Sequence, residues 1–335
     1  MSKVQPVFFL SNTDRKDDFL IETRIWNKNG ALVVEKRAVT EAAKKHLDHM
    51  INTHRVLSGV TDLSKLLNIV APGKSQNQSV NFNYIKGVSA ERMLLEKVLL
   101  KDEKGSCAII DKLFSMIDCL PSIKINPANN SRYNKVFGKS FNKTLDCTEL
   151  GIIDLNLDNI IVGDDGVWHL YDYEWTFDFP VPKQLMRLRF LWYFIYRHRE
   201  VLRYHAQRID SVLVNKNLYF PHFLYDCYKE IFKDFDDLRV AEAGFQQYVT
   251  GNKNYKLSAG WNVDPDLALA SPSFVGIAAT LNQTVLKAHD QLVTNLQLER
   301  QKRVNVENEL SEITSSKGYR LAKKFALMKR KILPK

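Results

Sequence analysis

The chain has 335 residues, long enough for one two-lobed domain or two small ones plus an extension. Its four cysteines, Cys107, Cys119, Cys147 and Cys227, show no C-x-x-C spacing, which excludes a zinc-finger or disulfide framework and fits a reducing cytoplasm. Net charge is +10, yet eight basic residues and no acidic ones fall between Lys317 and Lys335, so the charge is local and the chain is not a uniformly basic nucleic-acid binder.

No leader is predicted at the start, which turns polar after a very short apolar run, and no stretch reaches the ~20 apolar residues of a membrane span. Phe19 to Trp26 is rich in β-branched and aromatic residues and predicts a strand. Asn27-Lys28-Asn29-Gly30 is a turn signal, and Ala31 to Val39 reads as the returning strand. Thr40 is placed to cap a helix running to about Leu57, whose apolar positions Ala43, Leu47, Met50 and Ile51 repeat at helical spacing. Ser79 to Ile85 predicts another strand, Gly87 a break, and Ser89 the cap of the next helix. Pro121 to Asn142, polar and rich in Asn and Ser, reads as loop. Ile160 to Val162, Gly163-Asp164-Asp165-Gly166 and Val167 to Tyr171 read as a β-hairpin. After Pro180 and Pro182 the chain reads as mostly helical to about Gly251, and Asn252 to Ser273 as loop.

The chemistry concentrates around that hairpin. Asp154 and Asn159 lie five apart, then come a strand, a tight turn, a second strand and Asp172. This is the order of parts in a kinase active site. Phosphoryl transfer asks a protein mainly for positioning and charge neutralisation. Asp154 is the candidate catalytic residue, accepting or orienting the proton of an acceptor hydroxyl. Asn159 and Asp172 are the candidate metal ligands, a neutral and a charged oxygen for Mg²⁺. Asp158, Asp164 and Asp165 read as turn formers. Lys36 lies in an apolar strand, where a lysine is costly without a partner. Its carboxylate partner on the next helix is open between Glu41, which comes early, and Asp48, which is short. No G-x-G-x-x-G loop is present, and Ser11 to Asp18 contains no glycine. A methyltransferase reading lacks the Gly-rich loop after an early strand.

These segments resemble the kinase-like domains attached to methyltransferases and glycosyltransferases in bacterial surface-polysaccharide gene clusters (O-antigen and lipopolysaccharide type). Those domains are relatives of the lipopolysaccharide-type and polymannose chain-terminating kinases. The resemblance is carried by Arg15 to Arg24, Lys36-Arg37-Ala38, Phe82 to Ser89, Asp154 to Asn159, Asp172 to Pro182, Arg189 and Glu242 to Gly251, within roughly residues 5 to 275. It implies Lys36 for the nucleotide phosphates, Tyr84, Ile85 and Gly87 in a hinge facing adenine, Asp154 as catalytic residue, Asn159 and Asp172 for metal, and ATP and Mg²⁺ as cofactors. The chain departs from protein kinases at Ile152, where they carry His, and at Tyr173-Glu174, where they carry Phe-Gly. Phosphate coverage would then fall to backbone or to Arg15.

Residues 277 to 313 lack Gly and Pro, and the apolar positions 281, 285, 288, 292, 296, 306, 310 and 313 predict a coiled coil, interrupted by Glu299 and Arg303. Residues 317 to 335 mix eight basic residues with Tyr319, Leu321, Phe325, Leu327, Met328, Ile332 and Leu333. That composition suits an amphipathic anchor on an anionic membrane surface. The expected architecture is therefore an α+β, bilobal protein-kinase-like fold: lobes at 1–86 and 87–275, a coiled coil at 277–316 and a basic tail at 317–335. The expected function is ATP- and Mg²⁺-dependent phosphoryl transfer to a sugar hydroxyl of a surface glycan or its lipid-linked precursor. The expected place is the cytoplasmic face of the cell membrane, with polysaccharide-assembly enzymes as partners, self-association through the coiled coil and no nucleic acid. The rival reading is a catalytically weak kinase-like scaffold for glycan assembly.

Overall fold

The structure, a computed structural model, describes residues 6–73, 78–206, 208–215 and 218–252. Three strands open it, β1 (Phe8–Ser11), β2 (Ile21–Lys28) and β3 (Ala31–Ala38). The β2–β3 hairpin runs in continuous register from Ile21↔Ala38 to Lys28↔Ala31. It closes because Asn29 and Gly30 take positive φ values of 55° and 88°, and the Asn27 side chain accepts from the Gly30 amide at 2.9 Å. Phe19, expected in the strand, sits instead in a 3₁₀ turn (Asp17–Phe19) that buries its ring. Thr40 caps α1 (Glu41–Ser58), its Oγ1 accepting from the Ala43 amide at 3.1 Å. Ala43, Leu47, Met50 and Leu57 form the buried stripe of that helix. A one-turn α2 (Thr61–Ser64), β4 (Asn68–Ile69) and β5 (Ser79–Asn83) follow, and β5 completes a sheet of order β1-β2-β3-β5.

Beyond β5 the chain enters β6 (Gly87–Ser89) and α3 (Ala90–Leu99), where the Ser89 hydroxyl accepts from Arg92 N as the cap. The expected lobe boundary, 86/87, thus falls in the connection between strands of two different sheets. Gly87 does not break the structure; it pairs with Gly163. A Cβ at this position would meet the Val162 carbonyl oxygen at 2.1 Å, so the close approach admits only glycine.

Next come α4 (Glu103–Asp118), β7 (Ser122–Ile125) and α5 (Ser131–Phe137). The reading of Pro121 to Asn142 as loop is therefore corrected. The polar residues that suggested a loop are caps: Asn126 accepts from Ala128 N at 3.0 Å, and Asn130 accepts from Arg132 N and Tyr133 N at 2.9 and 3.2 Å. Five short strands follow, β8 (Leu145–Thr148), β9 (Gly151–Ile152), β10 (Ile160–Gly163), β11 (Trp168–Leu170) and β12 (Thr176–Phe177), then β13 (Val181–Pro182). The β10–β11 hairpin matches the expectation, and it lies in a second sheet of order β4-β11-β10-β6.

The last described part contains α6 (Lys183–Arg197), α7 (Arg199–His205), β14 (Ser211–Asn215), β15 (Leu218–Pro221), α8 (His222–Phe232) and α9 (Phe235–Thr250). The hairpin β14–β15 interrupts a stretch that the sequence suggested was mostly helix. Helix α6 is buried over most of its circumference, from Leu185 and Met186 to Phe194 and Ile195, and is the central member of the core. Gly251, at φ 71°, ends α9 in the left-handed conformation. The fold is mixed α+β, with several small sheets and one contiguous hydrophobic core. Among the described residues no helix is long and apolar enough to cross a membrane. The coiled coil at 277–316 and the tail at 317–335 lie outside the described residues.

Candidate functional site

The segment from β9 to β10 carries two of the candidate residues. Asp154 is buried, and its Oδ2 accepts from the Trp175 amide at 2.7 Å. Its backbone oxygen accepts from Asn159 Nδ2 at 3.0 Å. That bond orients the Asn159 amide: the nitrogen is used inside the loop, and the oxygen is left for the cleft that Asn159 lines. Burial, reinforced by the charges of Asp172 and Glu174, pushes the Asp154 carboxyl well above the usual carboxylate range.

Strand β3 places Lys36 facing inward, only 4% exposed. Its Nζ lies 2.7 Å from Asp172 Oδ1 and 3.7 Å from Glu174 Oε2. Neither expected partner is used. Glu41 is on the surface, paired with Lys44 and accepting from Gln78, and Asp48 is exposed. The partners come from the stretch between β11 and β12, where side chains two apart point the same way. Asp172 and Glu174 face Lys36, while Tyr173 is buried and donates to the Val70 carbonyl at 2.9 Å. Burial alone would depress the ammonium of Lys36, but the two carboxylates more than offset it and its pKa is raised. For Asp172 burial wins over the attraction of Lys36, and the pKa is raised. For Glu174 burial acts upward, yet Lys36 and Arg15 hold the carboxyl down at about 2.

Arg15 explains that difference. Its Nη2 contacts Glu174 Oε1 at 2.6 Å, and the guanidinium lies over the Trp175 ring. Arg15, considered from the sequence as cover for phosphates, is committed to Glu174 instead. It belongs to the glycine-free connection Ser11–Arg15 that borders the cleft. The next residue ties this connection down, Lys16 N donating to the Val249 carbonyl at the end of α9 at 3.0 Å.

A buried brace supports the loop from below. Arg189 on α6 donates through Nη1 to the Ile153 carbonyl at 2.8 Å and through Nε to Glu242 Oε2 at 3.0 Å. Tyr193 and Gln246 donate to the other Glu242 oxygen at 2.6 and 2.9 Å. Glu242 keeps the buried guanidinium paired, so the backbone beside Asp154 is held by a charged donor without an isolated charge.

These elements enclose a cleft of about 420 Å³ lined by Asp154, Asn159, Asp172, Glu174, Trp175 and Arg189. The three acid and amide residues singled out in the sequence thus share one cleft, with Lys36 against Asp172 at its edge. The expected hinge residues Tyr84, Ile85 and Gly87 are not among its lining residues; Tyr84 is 43% exposed and Gly87 is pressed against Val162. Among the described residues no three His, Cys, Asp or Glu side chains are grouped to hold a metal ion. Asn159 and Asp172 offer two hard oxygen donors, the chemistry that Mg²⁺ takes when substrate phosphates and water complete its shell, so the donor set fits. Glu174 as a partner of Lys36, and the Arg189–Glu242 pair as a brace beneath the loop, were not anticipated from the sequence. The alternation Asp172-Tyr173-Glu174 was the available signal for Glu174.

No protein-family model matches the chain, and no curated protein matches it. Among solved structures, the complex of Rv3197 with erythromycin from Mycobacterium tuberculosis is similar at 11% identity, covering 72% of this chain and 77% of that one, with a TM-score of 0.24. A likeness that slight carries no argument about fold or function.

Proposed function

We propose that the chain is a bilobal, kinase-like phosphotransferase that uses ATP and Mg²⁺, with a sugar hydroxyl of a surface glycan or its lipid-linked precursor as acceptor. The observation that carries this reading is the Lys36–Asp172 ion pair at 2.7 Å, at the edge of the cleft that Asp154 and Asn159 line. A buried lysine beside a metal-type carboxylate suits the α- and β-phosphates of a nucleotide. In this reading the acceptor oxygen forms a bond to the γ-phosphorus, the bond from that phosphorus to the β–γ bridging oxygen breaks, and ADP leaves. The acceptor proton goes to Asp154, whose burial beside Asp172 and Glu174 raises its affinity for a proton. Asn159 and Asp172 would hold Mg²⁺, which neutralises the phosphate charge. Residues 277–316 would form a coiled coil that docks polysaccharide-assembly enzymes or a second copy. Residues 317–335 would anchor the chain to the inner face of the cell membrane.

A second reading, a kinase-like scaffold with little catalysis, is favoured by one observation: the connection that would cover the phosphates has no glycine, and its arginine is bound to Glu174. Thermal unfolding of the purified chain with ATP and MgCl₂ tests nucleotide binding. A rise in Tm that needs both components supports the first reading, and its absence leaves the scaffold.

A further inference from the structure

A second cavity, about 520 Å³, shares only Glu174 and Trp175 with the Asp154 cleft. Its cations arrive from three separate places: Lys16 from the connection before β2, Lys45 from α1, and Arg132 and Lys135 from α5. Its carboxylates are already engaged. Asp18 pairs with Lys16 at 3.4 Å, Asp178 pairs with Arg132, and Glu174 is held by Arg15 and Lys36. Lys45 and Lys135 have no carboxylate partner among the described residues. They therefore leave two uncompensated positive charges on the walls of one concavity.

A second observation is independent of these charges. His46, on the same wall, is 8% exposed, and its Nε2 has no hydrogen-bond partner. Its neighbour His49 is satisfied, with Nε2 2.6 Å from the Thr176 carbonyl oxygen. The cavity also exceeds what an inorganic anion needs, and Trp175, Phe177 and Phe179 supply apolar walls for a larger body.

We propose that this cavity binds a phosphate-bearing small molecule, with Lys45 and Lys135 holding the phosphate and the aromatic walls taking the rest of the ligand. Lysines act as mobile point charges on such anions. The site is distinct from the proposed nucleotide cleft and does not rest on the phosphotransferase reading.

Isothermal titration of the full chain with glucose 1-phosphate, inorganic phosphate and glucose tests it. The phosphate compounds should bind saturably and neutral glucose should not. Lys45→Gln/Lys135→Gln should weaken binding by about tenfold or more, since each charged contact is worth a large fraction of that factor or exceeds it. Both lysines are exposed, so the double variant keeps the wild-type melting curve. Asp172→Asn, at a residue that lines the nucleotide cleft and not this cavity, should leave the binding intact, so this proposal and the phosphotransferase reading fail separately. Unchanged affinity in the double variant, no saturable binding of either phosphate compound, or glucose binding as tightly as its phosphate would overturn the proposal.

Discussion

The side-chain nitrogen of Asn159 donates to the backbone oxygen of Asp154, 3.0 Å away. One bond therefore locks the loop between the two residues and decides which end of the amide faces the cleft. Replacing Asn159 by Asp removes the donor and sets a carboxylate against a carbonyl. In Asn159→Asp we expect weaker Mg²⁺-dependent ATP binding despite the added charge, read as a smaller nucleotide-induced rise in Tm. An unchanged rise would mean that this amide orientation does not matter.

Asp172→Asn keeps the size of the side chain and removes the charge facing Lys36. If the cleft transfers phosphate, the variant should lose on the order of 10²-fold or more in Mg²⁺-dependent transfer from ATP to a glycan acceptor. Glu174 remains beside Lys36, so the ammonium keeps a partner and the fold survives. Normal glycan phosphate content in cells carrying Asp172→Asn would leave the scaffold reading.

Lys36→Met has a structural cost as well. The methionine fits the apolar path of the strand, but Asp172 loses its cation and Glu174 keeps only Arg15. Removing one member of a buried ion pair costs about 3 kcal/mol. Chemical denaturation should show a loss of this order, and Lys36→Met/Asp172→Asn should be less destabilised than the sum of the single variants. Additivity would show that the pair is not coupled.

Stability should fall on acidification in two windows. Burial, opposed by Glu174, brings the imidazole of His46 from 6.5 down to about 4. The unfolded chain takes up that proton near pH 6.5 and the folded chain only near 4, so between these values acid favours unfolding, by on the order of 3 kcal/mol. Glu174 runs from 4.5 unfolded to about 2 folded, so its contribution is complete above 4.5 and disappears toward 2. Asp154 and Asp172, with raised values, act in the opposite sense. The measurement is therefore a difference: urea unfolding of wild type and His46→Leu at pH 7 and pH 4.5. The variant should lose much of the slope between these points; identical slopes would exclude His46 as its source.

Gly87→Ala should destabilise the chain by about 1–3 kcal/mol, because its Cβ would fall 2.1 Å from the Val162 oxygen and the two strands must part. A wild-type Tm would contradict the β6–β10 contact.

What could be read from the sequence was what neighbouring residues decide together. The β2–β3 hairpin announces itself through Asn27 to Gly30, and Thr40 and Ser89 act as caps where a cap is spelled out. Asp154, Asn159 and Asp172 were legible because a short hairpin sets their order and spacing. Other features depend on segments far apart. Lys36 finds its partners 136 and 138 positions on, beyond any local pattern, and neither Glu41 nor Asp48 of the expected helix pairs with it. Gly87 looked like a stop because the strand it pairs with lies 76 positions away. Asparagines between Asn126 and Asn130 looked like loop because caps and loops use the same residues.

The sheet β4-β11-β10-β6 has a consequence for the order of events as the chain folds. Its members come from residues 68–69, 87–89, 160–163 and 168–170, and even the side-chain contact of Asn68 with His169 spans 101 positions. Pairings this remote form only after large loops close, which makes them slow. The first hairpin and α1 can form early from local signals, whereas Asn159 and Asp172, which flank the hairpin strands β10 and β11, find their places only when β4 and β6 have come to meet those strands. A ribosome must release most of the chain before the cleft exists, so the site is absent from any shorter nascent product.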